Sequence, residues 1–384
     1  MSRPVIELIT VIFLASVALG LTMPLLAVSL SYGGTSAGAI GVNAMTPALG
    51  IVSVSLVAPI VIQRLGAKLC MLCCTISFSI LLILMSINVE FWYWLFLRFF
   101  VGASTGLFWI VAELMLNASA PTNTRGFAVA GFTAANSVGL GVGPLVLVIT
   151  GLGWPAYATA IGLFILSLLI ALAGSFPELE VRREAKEKES LVKTIGRAPD
   201  AFAIAFASGF VGFAQIVLLP IFVLHTGGSV SFGAVCLSSL LLASIVFRLA
   251  FAQLFISIGQ TTLIYSLFII AIGSNALFLF ISDQIWTIGI LFLWGGAISS
   301  MYTVALKGIG DEFCESAAGL ATASSALRGS YHFGNALGPI VAGVGLDQYG
   351  RSGFVLSCLV PMSIVLALLS LFLRRRDAKS TEAG

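Results

Sequence analysis

Again and again the chain runs for about twenty residues with almost no charge, the length an α-helix needs to cross a hydrocarbon core of about 30 Å. In lipid every backbone amide and carbonyl has to be satisfied inside the segment, so such runs are restricted to helices. The predicted crossings lie at 6–30, 40–62, 69–87, 91–115, 126–150 and 156–176, then at 201–225, 233–256, 262–281, 285–306, 318–345 and 353–373. Composition agrees. Of 384 residues, 59% are hydrophobic and 9% charged, whereas soluble domains carry about 25% charged residues to face water. The expected class is an all-α membrane protein with twelve transmembrane helices.

The long polar stretch, Pro177–Asp200, carries six basic and six acidic residues. It divides the chain into an expected six-helix bundle over 1–176, a charged cytoplasmic linker over 177–200 and a second six-helix bundle over 201–384. Basic residues accumulate on the cytoplasmic side of membrane proteins. With the N-terminus inside, fifteen of the nineteen Lys and Arg residues fall in cytoplasmic segments and only Arg351 falls outside. Arg98, Arg248 and Arg328 lie within predicted helices. Both termini are therefore expected in the cytoplasm, and an even number of crossings follows.

The halves also repeat one another, in order. Met23-Pro24-Leu25 followed by Gly33-Gly34 returns as Leu219-Pro220-Ile221 followed by Gly227-Gly228. Phe108-Trp109-Ile110 returns as Met301-Tyr302-Thr303, and Gly139, Gly143 and Pro144 return as Gly334, Gly338 and Pro339. Parallel halves flanking a site at the midplane are a transporter architecture. Glycines four apart let helix backbones approach closely in lipid, and a following proline removes one backbone hydrogen bond and permits a bend.

With these motifs the chain resembles the major facilitator superfamily over essentially its whole length, in particular its drug-exporter-like branch. The loop after the second crossing in that family reads Gly-x-x-x-Asp-Arg-x-Gly-x-Lys. Here Arg64, Gly66 and Lys68 match, while Pro59 replaces the first Gly and Gln63 the acid. In the family that acid helps latch the cytoplasmic side, so the resemblance implies a weaker latch here or one using another group. Arg98-x-x-x-Gly102 matches the fourth-helix motif, and Gly139, Gly143 and Pro144 match the fifth-helix motif typical of exporters. The resemblance implies the major facilitator fold, a multi-pass protein of a bacterial inner membrane, and gating or conformational roles for Gln63, Arg64, Gly66, Lys68, Gly139, Gly143, Pro144, Gly334, Gly338 and Pro339.

Polar groups inside a membrane helix cost on the order of 2.5–3.5 kcal/mol when charged, so they mark function or structure. Ser324, Arg328, His332 and Asn335 form one polar stripe at spacings of 4, 4 and 3. Arg328 lies too deep to snorkel and has no acid within a turn. It is expected to line the cavity and recognise anions, against a structural alternative in which it bonds backbone carbonyls. Helix four carries Arg98, Gly102, Thr105, Trp109 and Glu113 on one face. Trp109 and Tyr302, with Ser299 a turn earlier, are expected to face one another across a cavity to which Arg248 and Gln215 also contribute. Glu113 is a proton site, or a latch to Arg64 or Arg125 in place of the missing acid. His332, whose side-chain type titrates nearest neutrality, and Arg98 are the other proton-coupling candidates. Cys70, Cys73 and Cys74 fit apolar fillers better than a soft-metal site.

No nucleotide-binding loop, metal-ligand cluster or nucleophile–base pair is visible, so no enzyme, cofactor or nucleic-acid partner is expected. The expected function is secondary active transport of a small organic anion, zwitterion or amphipathic solute by alternating access. Proton coupling and export are favoured, in a monomer whose partners are the bilayer, protons and the solute. Multidrug antiport of lipophilic cations and a transporter-like sensor are the alternatives.

Overall fold

The structure, a computed structural model, describes residues 3–120, 125–174, 191–257, 259–281, 283–314 and 317–382. The described residues form helices and no strands: α1 (Arg3–Tyr32), α2 (Ala37–Ile87), α3 (Phe91–Ser119), α4 (Arg125–Thr150) and α5 (Trp154–Ala173), then the short α6 (Leu191–Arg197). A second set follows, α7 (Pro199–His225), α8 (Val230–Ser257), α9 (Gln260–Phe278), α10 (Gln284–Glu312) and α11 (Ala317–Glu382). Ten of these are long and apolar enough to cross a membrane.

Two helices are far longer than a bilayer is thick. At about 1.5 Å per residue, the 51 residues of α2 would measure about 77 Å if straight. They are not straight. Gly66 (φ 75°) and Gly350 (φ 57°) interrupt α2 and α11 in the left-handed region that suits glycine. At each the chain doubles back. Ser357 Oγ donates to the Val341 carbonyl at 3.4 Å, although residues sixteen apart in an unbroken helix would lie about 24 Å apart. Likewise Cys70 Sγ reaches the Val61 carbonyl at 3.9 Å. The stretches 40–62 and 69–87 fall on the two arms of α2, and 318–345 and 353–373 on those of α11. No unstructured loop separates either pair, because a single left-handed glycine makes the turn.

Within the first half α1 packs on α4 and α5, and α2 on α3; in the second, α7 packs on α11, and α10 on α8 and α9. The repeated glycines explain why. A Cβ on Gly143 would sit 2.5 Å from the Cα of Gly20, and one on Gly139 would lie 2.6 Å from Ser16 Cβ, so α1 and α4 touch backbone to backbone. In the second half a Cβ on Gly334 would meet Phe210 N at 2.7 Å, and one on Gly338 would meet the Phe210 carbonyl carbon at 2.7 Å. Pro144 is buried in α4 beside these contacts. These glycines join helices of the same half, and in this conformation their work is packing. Gly102 does the same for α3, its Cα facing Pro47 of α2.

Of the expected linker, 177–190 lies outside the described residues. Its remainder is helical: α6 ends at Arg197 and α7 begins at Pro199. Arg197 holds α6 to the end of α10, donating from Nη2 to the Glu312 carbonyl at 3.0 Å and lying 4.2 Å from the Phe313 ring centre.

Candidate functional site

The halves meet through α2 and α11, α4 and α8, and α1 and α7. Along α11, Arg328, His332, Ala336, Pro339, Gly343 and Asp347 recur every three or four residues and so share one face. The last three of them pack on α2. A Cβ on Gly41 would strike the Pro339 carbonyl, and one on Gly343 would lie 2.7 Å from the Ala37 carbonyl carbon. Asp347 completes the contact: Oδ1 accepts from the Ala37 amide and Oδ2 from the Gly38 amide, both at 2.8 Å. Free amides at a helix start favour an anion. Ser36 caps the same turn through the Ala39 amide.

Further along that face the contact is lost. His332 and Arg328 are exposed, and on the matching face of α2 Gly41 is buried, Met45 and Ala48 half-buried, and Val52 and Leu56 exposed. The two helices touch at the Asp347 end and separate towards Gly66. Arg328 and His332 therefore face the widening gap between the halves, while the half-buried Asn335 turns its Oδ1 towards Gly209 of α7. Asn335 Nδ2 lies 3.5 Å from His332 Nδ1.

Two chambers lie between the halves. The first, of about 230 Å³, is walled by α1, α2, α3 and α7 and is mostly apolar. Arg98, Thr105 and Trp109 of α3 reach it with Asn43 of α2. Arg98 is half-buried rather than snorkelling, and its Nε has no partner among the described residues. Asn43 is 1% exposed with its Nδ2 unpaired. The Thr105 hydroxyl is committed to the Val101 carbonyl at 2.8 Å.

The second chamber, of about 260 Å³, lies between α4 and the second half. Arg248, Gln215 and Ser299 line it together with Asn136, Ser137 and Tyr331, which sequence reasoning did not single out. Arg248 Nη1 approaches Ser137 Oγ at 3.5 Å across the halves, and Asn136 Oδ1 accepts from Ser16 at 3.0 Å. Neither chamber has a carboxylate among its lining residues. Ile216 borders both.

Several expectations are corrected. Trp109 and Tyr302 do not face one another across one cavity. Trp109 lines the first chamber edge-on to Phe132, whereas Tyr302 packs at a tilt of 55° against Tyr331, ring centres 4.8 Å apart. The polar ring of that pair nearer the second chamber is Tyr331. Arg328 and His332 line neither chamber, since their helix face turns to the gap. Glu113 is exposed and makes no ion pair with Arg64 or Arg125, so the expected latch is not formed in this conformation. Gln63 and Arg64 are exposed at the Gly66 turn, and Lys68 is drawn instead to the end of α5, donating to the Gly174 carbonyl at 2.9 Å. Cys70 and Cys74 are buried, Cys73 is exposed, and all are free thiols.

The chain matches the family model of the Major Facilitator Superfamily over residues 8–327. It is 22% identical to an uncharacterized MFS-type transporter of Yersinia enterocolitica over 99% of this chain and 98% of that one. It is 24% identical to the uncharacterized MFS-type transporter YcaD of Escherichia coli over 88% and 87% respectively. Among solved structures, a mutant of the nucleoside transporter NupG superposes with a TM-score of 0.78 at 15% identity, covering 97% of this chain and 99% of that one. A bacterial homolog of the human lysosomal transporter Spinster, inward-facing and occupied, gives 0.75 at 15% identity over 98% of each.

Proposed function

This chain belongs to the Major Facilitator Superfamily, and we propose that it is a secondary active transporter that carries a small organic anion or zwitterion by alternating access. The observation that carries the reading is a pair of chambers between two repeated halves, closed at the Asp347 end and approached by a gap at the other. Reversal at Gly66 and Gly350 supports twelve crossings in two bundles, 1–176 and 201–384. The bias of basic residues puts the Gly66 end in the cytoplasm, so this conformation is inward-facing, in the inner membrane of a bacterium. In this reading the Asp347 seal breaks when the gap closes, exposing the chambers to the outside.

The choice of an anionic solute rests on charge. Arg98 and Arg248 reach the chambers without a carboxylate beside them, and a guanidinium in a low-dielectric site is offset by a bidentate carboxylate or phosphate. A chamber for lipophilic cations would need an acid there. Arg328 and His332, on the gap wall, meet the solute on its way, and His332 is the group best placed to exchange a proton with the cytoplasm. Export is the direction favoured by the glycine motif of α4. Thermal unfolding of the purified protein with a panel of organic anions and with tetraphenylphosphonium tests the reading. Stabilisation by anions is expected; stabilisation by the cation alone would reverse it.

A further inference from the structure

Gln215 sits in α7 with a relative exposure of 0%, against the second chamber. Among the described residues neither its Nε2 nor its Oε1 has a hydrogen-bond partner. Both ends of its carboxamide are affected, whereas Asn275, which leaves its Oδ1 unpaired, still donates from Nδ2 to the Val355 carbonyl at 3.2 Å, and of Asn43 it is the Nδ2 that lacks a partner among the described residues. A buried polar group left unpaired loses its water and gains nothing in return. A Leu or Met would fill the same space without that cost, so a partner for Gln215 has to come from outside the protein.

The chemistry of the carboxamide says what that partner is. It presents a donor and an acceptor side by side in one plane. The complementary group presents an acceptor and a donor with the same spacing, as a cis-amide does in a lactam or cyclic imide. Arg248 stands in the same chamber with its Nε unpaired and Nη1 only loosely engaged by Ser137 at 3.5 Å. Resting on the transporter reading above, we infer that the second chamber holds a small organic anion bearing a cis-amide edge, the amide paired with Gln215 and the anionic group with Arg248. Tyr331 supplies a flat wall for such a ring.

Three probes separate the two contacts in the full-length purified protein. Pyroglutamate carries a lactam and a carboxylate, cyclopentanecarboxylate has a ring of the same size and the same charge without the amide, and 2-pyrrolidone is the lactam without the charge. Titrated thermal unfolding should rank pyroglutamate about tenfold or more tighter than either analogue, as one or two well-made hydrogen bonds would give. In Gln215→Met, which keeps length and shape, the ligand-free protein should melt at or above the wild-type temperature. The preference for pyroglutamate over cyclopentanecarboxylate should disappear. Equal shifts from these two acids in wild type would overturn the inference while leaving the anion reading intact. A pyroglutamate preference untouched by Arg248→Ala would keep the amide contact and remove the anion. No shift from any probe would overturn both. A ligand-free melting point well below wild type in both Gln215→Met and Gln215→Leu would show that the carboxamide serves the fold, and would also overturn it.

Discussion

The carboxylate of Asp347 grips the first turn of α2 from the opposite half of the molecule, its Oδ2 taking the Gly38 amide at 2.8 Å while Oδ1 takes that of Ala37. Charge-assisted bonds of this kind contribute about 1.5–3 kcal/mol when shielded, and somewhat less here because Asp347 is exposed. Asp347→Ala should therefore raise the population open at this end by up to about tenfold. Spin labels at Gly34 and Tyr349, which lie in the segments joined by the seal, read it directly by pulsed dipolar spectroscopy. A longer-distance component is expected in the variant, and an unchanged distribution would show that the helix packing alone holds the end shut.

In the proposed topology the Asp347 end lies outside. In a protein whose native cysteines are replaced by serine, a cysteine at Tyr349 should react with an impermeant maleimide added to intact cells, and one at Lys193 should not. Labelling of Lys193 from outside would invert the topology.

The three intramembrane arginines are expected to separate by position. Arg98→Ala and Arg248→Ala, in the chambers, should each weaken equilibrium binding of an organic anion about 10–100-fold. Arg328→Ala, on the gap wall, should leave equilibrium affinity within about twofold and slow the approach of the solute through loss of steering. Stopped-flow binding at two ionic strengths distinguishes the roles. A loss of equilibrium affinity in Arg328→Ala equal to that in Arg248→Ala would move the recognition site to the gap.

Proton coupling is expected to pass through His332. In proteoliposomes, solute movement driven by an imposed pH gradient should fall several-fold in His332→Gln while counterflow exchange of solute persists. Glu113→Gln should change neither, because Glu113 is exposed and touches neither chamber. Gradient-driven transport that survives in His332→Gln and fails in Glu113→Gln would exchange their roles.

Gly338→Ala should destabilise the purified protein by about 1–3 kcal/mol, since overpacking forces the backbones apart and the new methyl would fall on the Phe210 carbonyl. Gly162→Ala is the control, with nothing within 4 Å of its added carbon. Melting temperatures in detergent compare the two.

Much of the architecture could be read from the residues themselves. Apolar runs of about twenty residues marked the crossings because a run of that length spans lipid as a helix, and the Gly-x-x-x-Gly-Pro repeat marked α4 and α11 as close-packing helices without naming their partners α1 and α7. Gln215 and Arg248 were legible as polar residues in apolar helices. What escaped has a physical reason too. Arg328 looked like the centre of the site because depth along a helix can be counted from sequence, but the direction its face looks depends on how the halves splay. Asp347 gave no sign, since its partners are backbone amides 310 and 309 residues away, and amides carry no sequence identity. Leu152 holds the equivalent place in the first half by the glycine register, so the repeat offered no hint either.

Ile216 borders both chambers, and one consequence concerns what the protein sorts by. A solute long enough to reach from Gln215 in the second chamber to Arg98 in the first would lie against this branched side chain at their shared border. Selection then acts on girth at the waist of the molecule more than on its length or mass. Trimming Ile216 to alanine would widen the menu of acceptable cargo without altering either end of the recognition, much as a wider mesh passes thicker threads of the same fibre.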